Sequence, residues 1–144
     1  MGTSWTYFKN YEIKSVDYED ERIYYLEDGD IDITFSTSAF LSTVLGHFDL
    51  LLPVYDIYYP PVSKKIDDLV DPQKVFEAAE KGIQLLTKEK NPFVNSFGYT
   101  ERLFDEDDLR RESLEKLNAN IIYYLEKIRD KSSEGFYWVK NWDR

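Results

Sequence analysis

Apolar and polar positions alternate through the first quarter of the chain. Trp5, Tyr7, Tyr11 and Ile13 recur with period two, interrupted at Lys9, and predict a strand. The acidic stretch at residues 17–21 reads as a loop. Residues 22–27 then lead into Asp28 and Gly29, and an Asp-Gly pair between two β-like runs predicts a two-residue hairpin, because glycine tolerates the positive φ of a type I′ turn. Residues 30–36 alternate cleanly, with Ile31, Ile33 and Phe35 in one phase and Asp30, Asp32, Thr34 and Ser36 in the other. Closure at Asp28-Gly29 sets Leu26 opposite Ile31 and Tyr24 opposite Ile33. Those four form the expected core face, while Ile23, Tyr25, Glu27, Asp30, Asp32 and Thr34 face outward.

The period then changes to that of a helix. Thr37 or Ser38 is the expected N-cap, since a short hydroxyl accepts from a first-turn amide. Phe40, Leu41, Val44, Leu45 and Phe48 fall on one face. Residues 50–59 read as an extended edge segment interrupted by Pro53. Asp71-Pro72 begins a second helix, with Asp as cap and Pro at the first helical position. Its stripe is Val75, Phe76, Ala79, Ile83 and Leu86, and Asn91-Pro92 ends it. Residues 93–99 are an aromatic loop or short strand. The last helix runs from about Asp107 to about Arg129, with acids at the end where the helix dipole favours them and bases at the other. Leu114, Leu117, Ile121, Leu125 and Ile128 form its stripe, Tyr124 lies nearer that stripe than Tyr123, and Gly135 stops it. Residues 136–142 form a final strand.

This order predicts a single α+β domain over residues 1–144. It would have a mainly antiparallel sheet, an N-terminal hairpin meander, about three helices on one face and a C-terminal strand. A chain of 144 residues buries enough surface to need no covalent staple.

The net charge of −10 opposes direct contact with nucleic-acid phosphates or anionic membranes and favours a basic partner. That charge is concentrated. Residues 17–32 hold eight acids against Arg22 alone. With Tyr18 and Tyr25 set among them, the expected partner-binding patch is Asp17, Tyr18, Glu19, Asp20, Glu21, Tyr25, Glu27, Asp30 and Asp32. Its plainer role is a solvated edge that discourages sheet-to-sheet pairing.

The chemistry-bearing patterns are few. There is no cysteine, so disulfides and thiolate metal sites are excluded. The order Asp28, Asp30, Asp32 resembles the start of a calcium-binding EF-hand loop, but its sixth position is Ile33 and its twelfth Ala39, where glycine and glutamate are needed. His47 is the only histidine. Ser42, five residues before it, lies off its helical face, so no catalytic role is expected for His47. No phosphate-binding glycine loop is present. No cofactor, metal or catalytic residue is therefore assigned, and the chain reads as a binding protein rather than an enzyme. No basic-then-apolar leader and no bilayer-length apolar run is seen, which leads to the expectation of a cytoplasmic protein.

Small size, absence of cysteine, strong acidity and a tyrosine–carboxylate surface together resemble bacterial immunity proteins. The likeness is one of composition and carries no motif. It implies tight one-to-one binding to a basic toxin domain, with the toxin's active site or a neighbouring surface covered. The alternatives are a phage-type nucleic-acid mimic, an oligomeric structural component, and a small enzyme that uses paired carboxylates.

Overall fold

A computed structural model describes residues 2–16, 20–54, 69–88 and 110–142. The described residues form β1 (Gly2–Phe8), β2 (Tyr11–Val16), β3 (Asp20–Tyr25), β4 (Gly29–Thr34), α1 (Phe35–His47), α2 (Pro72–Lys88), α3 (Arg110–Ser133) and β5 (Tyr137–Trp142). Both sheets are antiparallel. One has the order β4-β1-β5 and the other is the β2-β3 hairpin, so the α+β class, the N-terminal hairpin and the C-terminal strand are as the pattern predicts.

The hairpin itself is not the expected one. β3 and β4 do not pair across Asp28-Gly29. β4 pairs with β1, from Gly2↔Thr34 to Tyr7↔Gly29, and β3 pairs with β2, from Tyr11↔Tyr25 to Val16↔Asp20. The two ladders share one register, because the chain steps as far from Tyr7 to Tyr11 as from Gly29 back to Tyr25. They are halves of one long ribbon, bent where residues 9–10 lie against residues 26–28. The bend is held by Asp28 N–H donating to the Tyr7 carbonyl at 2.9 Å and by Lys9 N–H donating to Asp28 Oδ2 at 2.8 Å.

The bend also turns the ribbon over. In a straight ribbon Phe8 and Tyr11 would project from opposite faces, since side chains alternate. Here their rings meet edge to face at 6.4 Å. This overturns the expected facing of β3. Leu26, expected inward, is 74% exposed, and Ile23, expected outward, is only 8% exposed. Tyr24 is half-buried. Ile33 is buried and Ile31 half-buried, as the alternation of β4 requires, but their support comes from β1 and the helices.

Gly29 is needed for a different reason than a turn. It is outside the left-handed region, and a Cβ there would stand 2.5 Å from the Tyr7 ring, so the absence of a side chain leaves the place that this ring fills.

α1 begins three residues earlier than expected. Thr34 is the N-cap, and its hydroxyl accepts from the Thr37 N–H, which takes Phe35 and Ser36 into the helix. α1 ends with Asp49 at φ 61°, Leu50 N–H donating to Leu45 and Asp49 N–H to Gly46. α2 starts as predicted, with Asp71 Oδ1 accepting from Gln73 N–H at 2.9 Å. Its buried stripe is Val75, Ala78, Ala79, Gly82 and Leu86, turned slightly from the expected one so that Phe76 and Ile83 are half-buried. Gly82 is where α2 meets its neighbours: a Cβ there would lie 2.8 Å from Val44 of α1 and 3.2 Å from Leu125 of α3.

α3 runs past Arg129 to Ser133. Gly135, at φ 92°, closes it, with Phe136 N–H bonded to Lys131 and Gly135 N–H to Ser132. Ile121, Leu125 and Ile128 are fully buried and Leu117 half-buried; Tyr124 is half-buried and Tyr123 exposed. The acids at 105–108, the expected end of α2 at 91–92, the aromatic stretch 93–99 and the extended run beyond Val54 lie outside the described residues.

The three helices lie over one face of the β4-β1-β5 sheet, where Trp5, Ile33 and Trp138 join their stripes in the main core. A smaller cluster of Phe8, Ile23 and Val139, flanked by Tyr25, Tyr137 and Leu69, occupies the other face. Two outcomes follow. Gly29→Ala should destabilise by about 1–3 kcal/mol through displacement of Tyr7, measured by urea unfolding. Ile121→Ala should cost about 2–5 kcal/mol in the same experiment; a change within the surface range of about 0.5 kcal/mol would mean that α3 does not face the core.

Candidate binding surface

The pairing of β4 with β1 decides where its acids go. Ile31 and Ile33 turn toward the helices, so Asp30 and Asp32 are exposed on the opposite face, beside Thr6 and Ser4 of β1. Those two neighbours are buried, and the Asn141 amide donates to the Thr6 hydroxyl. At the bend, Glu27 and Asp28 are exposed next to Leu26. Asp28 therefore has two duties, since the carboxylate that adds to the acidic surface also holds the Lys9 amide. Glu12 adds an exposed acid on β2.

The expected patch is thus brought together in part. Asp30 and Asp32 share one face of β4, and Glu27 lies at the bend that leads into it. Asp20 and Glu21 stand on β3, in register with Val16 and Ser15. Asp17, Tyr18 and Glu19 lie outside the described residues. Tyr25 is half-buried, not an outward contact residue: its ring stacks on Phe8 at 4.2 Å and 19°, in the smaller cluster. The same cluster raises the pKa of Tyr137, first through its hydrogen bond to Tyr11 and then through burial. Among the described side chains, the large apolar ones that reach solvent on the ribbon are Leu26, Ile13 at 57% exposure and, at the margin, Tyr11.

Two basic side chains lie over aromatic rings at this end of the sheet, and Lys131 also lies 3.9 Å from Glu134. Lys9 Nζ lies 4.5 Å from the centre of the Phe136 ring, and Lys131 Nζ lies 5.0 Å from that of Tyr7. The cations are placed to hold the aromatic seam between β1 and the end of α3.

His47 is exposed in the last turn of α1, its ring edge-on to Phe48 at 4.9 Å. Ser42 turns instead to Lys140, whose Nζ donates to Ser42 Oγ at 3.3 Å. This pair has no counterpart in the expected site. Lys140 is only 8% exposed, and burial pushes its pKa below the usual lysine value. A sequence signal for it exists: Lys140 is in phase with Trp138 on a strand, so the two side chains leave the same face of β5. Among the described residues no group of three or more histidines and carboxylates could hold a metal ion, and no helix is long and apolar enough to cross a membrane.

The lysine has a consequence for stability. Its lowered pKa means that the unfolded chain binds more protons there, so this group's penalty is relieved as pH rises from the folded pKa toward 10.5. Lys140→Met should therefore be more stable than the wild type at pH 7, and the difference should shrink as pH approaches 10. Thermal unfolding across that range measures both; a less stable variant at pH 7 would mean that the amine is a net stabilising group.

Comparison with protein-family models, with curated proteins and with solved structures finds no match to this chain.

Proposed function

We propose that this chain is an acidic protein-binding domain that docks a basic partner on its bent ribbon, and that it acts as an immunity protein for a basic toxin domain. One observation carries the binding part. β4 gives its apolar residues to the core and sets Asp30 and Asp32 outward, and the chain continues at the bend with Glu27 beside an exposed Leu26. Acids gathered on one rigid strand repel one another, a cost that a basic partner relieves. An apolar side chain beside them supplies contact area that charge alone does not. The immunity role is supported by the chain's small size, lack of cysteine and acidity.

The charges and the leucine should act at different stages. Long-range attraction steers the encounter before contacts form, whereas a desolvated apolar contact acts after docking. With the captured partner in hand, association and dissociation rates at two salt concentrations test this. The triple variant Glu27→Gln, Asp30→Asn, Asp32→Asn should associate more slowly and with a flatter salt dependence. Leu26→Ala should mainly speed dissociation. Tyr25 is not the variant of choice, because its ring supports Phe8 and its loss would disturb the fold. Rates unchanged in the triple variant would assign the acids to solubility and edge protection alone. Toxicity of the partner in cells, relieved by co-expression of this chain, tests the immunity role separately.

A further inference from the structure

The backbone of β4 has an inner and an outer side, and three hydrogen bonds tell them apart. The Tyr7 carbonyl accepts from Asp28 N–H, so Tyr7, Trp5 and Thr3 turn their backbone groups toward β4. Lys140 lies opposite Trp5 on β5, and its N–H goes away from β1 to the Pro53 carbonyl, as the same alternation requires. Gly29, Ile31 and Ile33 therefore direct their N–H and C=O groups to β1, and Asp30 and Asp32 direct theirs away from it. On that outer side the Tyr124 hydroxyl of α3 meets the Asp32 carbonyl at 3.5 Å, in an exposed position. This is long for an O–H donor, so the contact is weak and open to exchange. Among the described residues β4 ends its sheet. The Asp30 and Asp32 side chains are exposed on one face of this edge, and Ile31, half-buried, lies on the other with the helices.

We infer that the outer edge of β4 takes up an extended segment of the basic partner as an added antiparallel strand, an inference that rests on the docking reading above. The incoming backbone bonds to the N–H and C=O of Asp32, and its N–H displaces the Tyr124 hydroxyl. Pairing of this kind supplies affinity through the main chain and leaves the choice of sequence to alternate side chains. Here the alternation sets a definite pattern. Residues opposite Asp30 and Asp32 leave the acidic face and are basic, because opposite charges directly across a ladder attract. The residue between them, opposite Ile31, leaves the face that carries the helices and is apolar, beside Ile31 and Tyr124. The occupant is thus a basic–apolar–basic strand. The same carboxylates repel the β4 edge of a second copy, so the edge discriminates by charge between a partner and itself.

The probe is the peptide acetyl-Lys-Val-Lys-Val-Lys-amide, titrated at low salt into the full chain and followed by calorimetry and by amide hydrogen exchange. Two methylated forms of equal charge separate strand pairing from simple attraction. Methyl groups on two of the lysine backbone nitrogens remove the donors that face β4, and methyl groups on the two valine nitrogens leave those donors in place. The lysine-methylated peptide should bind about tenfold or more weakly than the valine-methylated one, and only the latter should slow exchange at the Asp32 amide. On the protein, Asp32→Asn and Asp32→Pro remove the same charge, but only the proline removes the outward N–H. A proline is tolerated there, since that N–H takes no part in the ladder with β1. With circular dichroism unchanged, Asp32→Pro should bind the unmethylated peptide several-fold more weakly than Asp32→Asn. Equal binding by the two methylated peptides would overturn strand addition and leave the carboxylates acting through charge alone. No binding of the unmethylated peptide would overturn it too, whereas the docking reading is decided separately by the rates of the captured partner with the triple acid variant.

Discussion

Everything in this fold depends on β1 serving two cores at once. Trp5 and Phe8, three residues apart on one strand, are both fully buried, on opposite faces of the sheet. Only a strand with partners on both sides and layers above and below can satisfy that requirement. β1 is the centre of the order β4-β1-β5, and its paired neighbours meet its backbone groups on both sides. The Trp5 indole would still bury an orphan donor. Ser38 of α1 accepts from it at 2.9 Å, which ties the first helix to the central strand. The Trp138 indole makes the matching bond to Ser132 at the end of α3. Two tryptophan–serine bonds thus fix the two sheet-facing helices at separate points along the sheet.

The helical layer depends on a second close approach. Gly82 lets α2 lie against both α1 and α3, and the small residues Ala78 and Ala79 continue that contact. A larger side chain would push α2 off both neighbours. The side chains of Arg129 and Glu80, bonded at 2.9 Å, join the two long helices at the margin of their contact. That pair is half-exposed, so packing rather than charge holds the layer together.

The surface follows from these burials. With Ile31 and Ile33 committed to the helices, the acids of β4 project from the opposite face, where they are exposed, beside the edge that β4 presents among the described residues. Charged residues at such an edge oppose pairing with another copy. The Tyr124 hydroxyl, donating to the Asp32 carbonyl at 3.5 Å, also occupies part of that edge. The opposite edge of the sheet is met by the segment around Pro53, which brings Lys140 under cover. Lys140 is thus buried by the meeting of the C-terminal strand, α1 and an extended segment that are far apart in sequence.

Local periodicity was enough to specify the α+β class, the strand alternation of β4, the existence of β5, the stripe of α3, the cap of α2 at Asp71 and the stop at Gly135. Each of these depends on neighbours within a few residues: side chains alternating on a strand, a carboxylate reaching an amide two residues on, a glycine free to adopt positive φ. Strand partnership is a different kind of property. Asp28-Gly29 carried a hairpin signal, yet the tertiary structure used Gly29 to admit the Tyr7 ring and joined β4 to β1. The backbone hydrogen bonds of a hairpin at Asp28-Gly29 and of the bent ribbon are alike in kind, so local sequence could not choose between them. The choice was made by burial, since only the ribbon puts Trp5 and Phe8 into two cores. The same choice sent Leu26 to solvent, Tyr25 onto Phe8 and Lys140 into an apolar wall. The acidity of the chain was visible in its sequence, whereas which acids share a surface was decided by the strand that β4 found as its partner.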